Sequence, residues 1–177
     1  MSFDIHNYFT DNFMTVKGDK AEEFLNSFQH VVEEASFLKD SEKNTFSNEN
    51  LLNRWSVIFF YPKDGSPGCT IESCSFRDKQ DQIEALGAQI IGISSDSVSR
   101  HQRFKKKHRL QYTLLSDPQS RLPKKMRLKR TLGFMRARVT FVVDPEGIIR
   151  GSVTSQFNPI KHVKSAIRQL EELTVSD

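Results

Sequence analysis

Cys69 and Cys74 are the only cysteines in a chain of 177 residues, and they stand five residues apart in VIFFYPKDGSPGCTIESCSFRD, residues 57–78. An apolar run leads in, a turn containing Pro62, Gly65, Pro67 and Gly68 follows, and Cys69 comes just past it. That order places Cys69 in the first turn of a helix, where unpaired N–H groups and the positive end of the helix dipole favour an anion. A thiolate stabilised there is a usable nucleophile. Ser66 brings a hydroxyl three residues ahead of the sulfur, which also suits an ordinary helix cap, and Gly68 lets a neighbouring group come close to the backbone. The bland alternative is a pair of buried thiols serving as small apolar side chains.

The spacing constrains what the pair can do. In an intact α-helix, residues i and i+5 lie roughly 8–9 Å apart between Cα atoms and point about 140° apart around the axis. A disulfide needs about 7 Å or less. Bonding Cys69 to Cys74 therefore requires the start of the helix to unwind, unlike a Cys-x-x-Cys oxidoreductase. A metal site is poorly supported, since Cys-x4-Cys supplies two ligands and His6, His30, His101, His108 and His162 show no ligand spacing.

The elements that must hold these residues read as one α/β sheet flanked by helices. Residues 19–35 show apolar positions at helical spacing, and residues 39–55 read as a polar loop or short hairpin. WSVIFFY and AQIIGISS lack alternation and predict strands buried on both faces. The segment 69–87 predicts one helix with Ile71, Phe76, Ile83 and Leu86 on its apolar side. Residues 97–110 predict a helix capped by Asp96 or Ser97, YTLLSD a short strand, and 118–128 a brief helical piece carrying Pro123. VTFVVDPEGIIRGSVTS reads as a hairpin turning at Asp144-Pro145-Glu146-Gly147. The last helix starts with Asn158 as cap and Pro159 as first residue. The cysteine turn then falls at the carboxyl end of a central strand, the usual place for a site in an open α/β sheet.

Composition bounds the rest. Hydrophobic residues are 37% and charged residues 27%, which suits a globular domain. No apolar stretch reaches the roughly 18 residues of a membrane span. The N-terminus has neither a basic region nor an apolar core, so a cytoplasmic protein is expected. The net charge of +4 conceals a basic segment, residues 100–138, in which Asp117 is the only acid. Such a block can attract nucleic acid or an acidic partner, but no aromatic ladder or nucleic-acid motif accompanies it, and a solvated helix face is the preferred explanation. Nucleic acid is accordingly not expected as a partner.

The segment FFYPKDGSPGCTIESCSFRD resembles the active-site segment of peroxiredoxins, in particular the Q type, the bacterioferritin comigratory protein group. The general pattern Pro-x-x-x-Thr/Ser-x-x-Cys is met by Pro62, Ser66 and Cys69, and the second cysteine of many Q-type members by Cys74. IIGISSDSVSRHQRFKKKHRLQYTLLSDPQ, TLGFMRARVTFVVDPEGIIR and SQFNPIKHVKSAI are similar to later family segments, so the resemblance runs over about residues 37–173. Ser66 in place of threonine, the extra Arg136, the basic loop 121–130 and the long N-terminal region depart from the pattern.

The resemblance implies a thioredoxin-like fold with a central mixed sheet over residues 37–177, preceded by a partly helical extension, residues 1–36. It implies a thiol-dependent peroxidase without cofactor or metal, in which Cys69 attacks a hydroperoxide and becomes a sulfenic acid. Arg138 would stabilise the charge, Ser66 would align the peroxide, backbone N–H groups near Gly68 and Cys69 would assist, and Pro62 would shield the sulfur. Cys74 would close a disulfide with Cys69, reduced by thioredoxin or a similar dithiol, in a protein expected to be a monomer. Two other classes stay open: a basic binding protein whose thiols sense redox state, and a general disulfide reductase, which the spacing disfavours.

Overall fold

The computed structural model describes residues 37–126, 128, 130 and 135–174. The extension expected at 1–36, with its helix, lies outside these. The elements run β1 (Lys39–Asp40), β2 (Trp55–Phe60), α1 (Pro67–Asp78), α2 (Gln80–Ala85), β3 (Ala88–Ser94), α3 (Val98–His108), β4 (Thr113–Ser116), α4 (Arg121–Lys125), β5 (Val139–Val143), β6 (Ile149–Thr154) and α5 (Pro159–Thr174). They form one six-stranded sheet in the order β1-β4-β3-β2-β5-β6. β2, β3 and β4 run parallel, while β1, β5 and β6 are antiparallel to their neighbours. This is the mixed sheet expected.

Period-two alternation splits the core. Ile58, Phe60, Ile91, Ile93, Leu115 and Phe141 face one side. Val57, Phe59, Ile90, Leu114 and Val142 face the other. The second side carries the long helices, through Phe76 and Ile83 of α1 and α2, Phe104 of α3, and Val163, Ala166 and Leu170 of α5. The first is closed by Leu38, Phe46 and Leu51 from the lead-in segment and by Leu122 of α4. β2 and β3 are buried along nearly their whole length, because both of their faces are covered.

Local signals hold at several junctions. Asn158 accepts a hydrogen bond from Lys161 N–H through Oδ1, with Pro159 opening α5. The hairpin turn closes with Gly147 N–H on the Asp144 carbonyl, and Gly147 takes a positive φ of 83°. Of the two readings of residues 39–55, loop or short hairpin, the pairing over residues 38–46 is a short hairpin, with Phe46 N–H on the Leu38 carbonyl. Two expectations fail. The helix from Cys69 does not run unbroken to Leu86 but stops at Lys79, where φ is −113° and ψ 8°, before α2 resumes. Ile71 is not a core position: it is 47% exposed, while the adjacent Glu72 is 0% exposed. The buried face of α1 is the row Cys69, Glu72, Ser73 and Phe76, at spacings of three and four, and Ile71 lies about 100° away from Glu72.

Candidate active site

Cys69 is the third residue of α1, directly beyond the carboxyl end of β2. Ser66 occupies the N-cap position in extended conformation and Pro67 opens the helix. Thr70 N–H closes the first turn on the Ser66 carbonyl at 2.9 Å, leaving the N–H groups of Gly68 and Cys69 ahead of the helical ladder. The Ser66 hydroxyl does not cap a backbone N–H. It donates instead to the Lys63 carbonyl at 3.1 Å, bracing the turn from inside, and the residue is half-buried. Pro62 sits half-buried at the entrance of the same turn.

Arg138, one residue before β5, reaches across to α1. Its Nη2 donates to Cys69 Sγ at 3.3 Å. Its Nη1 pairs with the Glu72 carboxylate, and its Nε donates to the Gln156 carbonyl at 3.2 Å. Its backbone N–H donates to the Gln156 side-chain oxygen, also at 3.2 Å. The guanidinium is thus held from three sides, and its planar fork serves sulfur and carboxylate together. The close approach that Gly68 permits is that of Arg138 itself: a Cβ on Gly68 would lie 3.1 Å from Nη2.

Beneath Arg138 lies a polar group that the sequence reading missed. Glu72 is fully buried, and burial pushes its carboxyl up from 4.5 to about 8 against the opposing pull of Arg138. Burial works against the charge on Glu72 and Arg138 works for it, so the carboxyl takes up a proton more readily than an exposed one would. Burial tends to lower Arg138, but Glu72 and Cys69 beside it raise it overall. Glu72 Oε1 has no hydrogen-bond partner and lies 3.6 Å from His162 Nδ1. His162 donates from Nε2 to the Ser155 carbonyl at 2.9 Å and accepts the Thr140 hydroxyl at Nδ1, also 2.9 Å. Burial lowers it to about 4, so it stays neutral. The available signal was a charged residue at helical spacing from Phe76 and a histidine in the apolar row of α5, since a buried polar group there needs a partner.

The turn before Cys69 is held by a second buried network. Asp64 accepts the Tyr61 hydroxyl at 2.7 Å and contacts His101 Nδ1 at 2.7 Å, and its backbone N–H donates to Asp96 at 2.7 Å. His101 Nε2 faces the Leu115 carbonyl at 3.2 Å. These bonds fix the turn to the ends of β3 and β4 and to α3. Arg100, from the basic segment, pairs with Asp96 and donates to the Asp64 carbonyl, while Arg136 donates to the Ser95 hydroxyl. Part of the basic segment is thereby tied into the fold.

Cys74 stands about one and a half turns further along α1, half-buried, and both cysteines are free thiols. The structure therefore brings Arg138 against Cys69 and Gly68, leaves the Ser66 hydroxyl on the Lys63 carbonyl, and sets Cys74 further along the helix.

A buried thiol at a helix N-terminus, faced by a fixed guanidinium, is matched by known proteins. The AhpC/TSA family model matches residues 18–152. The chain belongs to the AhpC/TSA family. Among its relatives are the chloroplastic peroxiredoxin Q of Populus jackii, 37% identical, and that of Suaeda salsa, 38% identical, each over 77% of this chain. The chain spans 64% of the length of these two relatives. Among solved structures, peroxidoxin BcpB from Mycobacterium tuberculosis matches with a TM-score of 0.70 at 33% identity, over 77% of this chain and 91% of that one. The Xanthomonas campestris bacterioferritin comigratory protein, described with alkyl peroxide reduction activity, matches with a TM-score of 0.72 at 27% identity, over 80% and 95% of the two chains. The family and thioredoxin-like fold implied by the resemblance are thus established. No helix among the described residues is long and apolar enough to cross a membrane.

Proposed function

We propose that this chain is a thiol-dependent peroxidase that reduces hydrogen peroxide and organic hydroperoxides, serving antioxidant defence and redox homeostasis. The observation that carries the reading is the 3.3 Å contact between Arg138 Nη2 and a Cys69 sulfur placed in the first turn of α1. Alkyl hydroperoxides join hydrogen peroxide as substrates by similarity to the Xanthomonas campestris protein.

The Cys69 thiolate attacks the terminal peroxide oxygen. The O–O bond breaks, the sulfur keeps the hydroxyl as a sulfenic acid, and the departing alkoxide or hydroxide takes a proton from solvent. Arg138 carries a permanent charge beside both sulfur and developing oxyanion. The N–H groups of Gly68 and Cys69 add donors, Ser66 aligns the peroxide, and Pro62 limits water at the sulfur. The first turns of α1 then unwind, and Cys74 thiolate attacks the sulfenic sulfur, forming the Cys69–Cys74 disulfide and releasing water. Thioredoxin or a similar dithiol reduces it by exchange. The protein works as a monomer.

The test is peroxide consumption with thioredoxin as reductant, comparing the native protein with Cys69→Ser and Cys74→Ser. Loss of turnover in both variants supports the reading. Undiminished turnover in Cys69→Ser overturns it, and undiminished cycling in Cys74→Ser replaces the second thiol with a one-cysteine mechanism.

A further inference from the structure

Cys74 has a chemical environment of its own. His108, the last residue of α3, sets Nδ1 3.7 Å from Cys74 Sγ. Arg77, one turn beyond Cys74 on α1, directs Nη1 to the same sulfur at 3.8 Å and to the His108 carbonyl at 2.7 Å. The edge of the His108 ring packs on Phe104, with ring centroids 4.8 Å apart, which fixes its orientation. A thiol, an imidazole nitrogen and a guanidinium thus converge between α1 and α3, away from the Cys69 site.

From this geometry we infer that His108 is the general base that deprotonates Cys74 for disulfide formation, with Arg77 holding imidazole and sulfur together. The inference rests on the peroxidase reading above. His108 Nδ1 removes the Cys74 proton, and the thiolate lies beside the Arg77 charge. It attacks the sulfur of Cys69 sulfenic acid, and the new S–S bond forms as the S–O bond breaks. The oxygen leaves as water, taking up one proton from solvent, while His108 returns the proton it took to solvent. Electrons balance, because the sulfenic acid is the oxidant and the thiolate the reductant.

Two further features fit. Burial, Lys107 and Arg77 lower His108 below its usual value against the opposing pull of Asp64, which favours the unprotonated ring that a base requires. The groups facing this pair are Arg77 and Asp78 on α1, Lys107 on α3, Tyr112 before β4, and Asp64 behind the turn. The same contacts also choose which half of α1 moves. Tyr112 Oη donates to the Ser73 carbonyl at 2.9 Å, and Arg77 ties the helix to α3 through His108. Residues 73–77 are therefore anchored, and the unwinding falls on the first turn, ahead of the Glu72–Arg138 pair, carrying Cys69 toward a waiting Cys74.

The test is a single-turnover reaction of the reduced full chain with stoichiometric hydrogen peroxide. Sulfenic acid formation at Cys69 and disulfide closure are followed separately by quenched-flow mass spectrometry. His108→Ala and His108→Gln should slow closure at pH 7 by about a hundredfold, the scale of general-base assistance. Gln keeps size and a hydrogen-bond acceptor but cannot carry the proton. Free imidazole should restore much of the rate to His108→Ala, which a packing role would not allow. Closure at the native rate in either variant, or no recovery with imidazole, overturns the inference while leaving the peroxidase reading intact. Failure of native Cys69 to oxidise at all overturns both.

Discussion

Arg138 holds one guanidinium nitrogen 3.3 Å from the Cys69 sulfur and gives the other to Glu72, a residue with no exposed surface. The pairing explains why a charged side chain sits beneath the helix that carries the nucleophile. Glu72 and Gln156 fix the direction of the guanidinium. The sulfur and the developing negative oxygen then meet a donor that needs no reorganisation.

Replacing Arg138 should therefore cost activity far more than stability. Arg138→Met should lower the second-order rate of Cys69 oxidation by roughly 10²–10³, the scale of losing one fixed oxyanion donor. Arg138→Lys should recover little, because an ammonium cannot serve sulfur and Glu72 with one planar fork. Stopped-flow oxidation by hydrogen peroxide, with urea unfolding as a control, measures both.

Gly68 marks the nearest approach of Arg138 to the backbone. A methyl group there would sit 3.1 Å from Nη2, so Gly68→Ala should displace the guanidinium by a few tenths of an ångström. Oxidation of Cys69 should slow about tenfold in a protein that still folds, since small misplacements of reacting groups carry large kinetic costs. An unchanged rate would show that the contact does not position the charge.

Glu72 and His162 give opposite contributions to the pH dependence of stability. Glu72, raised from 4.5 to about 8, holds a proton in the folded state that the unfolded chain releases, so its contribution is full below pH 4.5 and lost as pH rises toward 8. His162, lowered from 6.5 to about 4, is neutral when folded, so its contribution is full above pH 6.5 and lost as pH falls toward 4. The two slopes oppose each other between pH 4.5 and 6.5. A net decline of a few kcal/mol remains from about pH 6.5 to 8. Glu72→Gln should flatten that decline, as urea unfolding across a pH series would show.

The parts of the site that were legible in the sequence rest on local order. Cys69, Ser66 and Gly68 follow from a strand, a Pro/Gly turn and a helix start read along one stretch. Asn158 with Pro159 and the Asp144–Gly147 turn carry their own backbone chemistry. Arg138 came from resemblance, because its bond to the sulfur spans 69 positions. Glu72 was hidden because Ile71 beside it looked like the core residue, and only the packing of α1 on α5 decides which face turns inward. The break at Lys79 carries neither Gly nor Pro, so no local signal announced it. His108 was concealed in a run of lysines that reads as a solvated face, and its contact with Cys74 appears only when α3 is laid beside α1.

The most direct measurement of the central claim is the mass of the thiol product after one equivalent of hydrogen peroxide meets the reduced chain. The account predicts loss of two hydrogens through one Cys69–Cys74 bond in the native protein. It predicts a trappable sulfenic acid at Cys69 in Cys74→Ser and no peroxide consumption in Cys69→Ser. Peroxide consumed at the native rate by Cys69→Ser, or oxidation appearing first at Cys74, would contradict it.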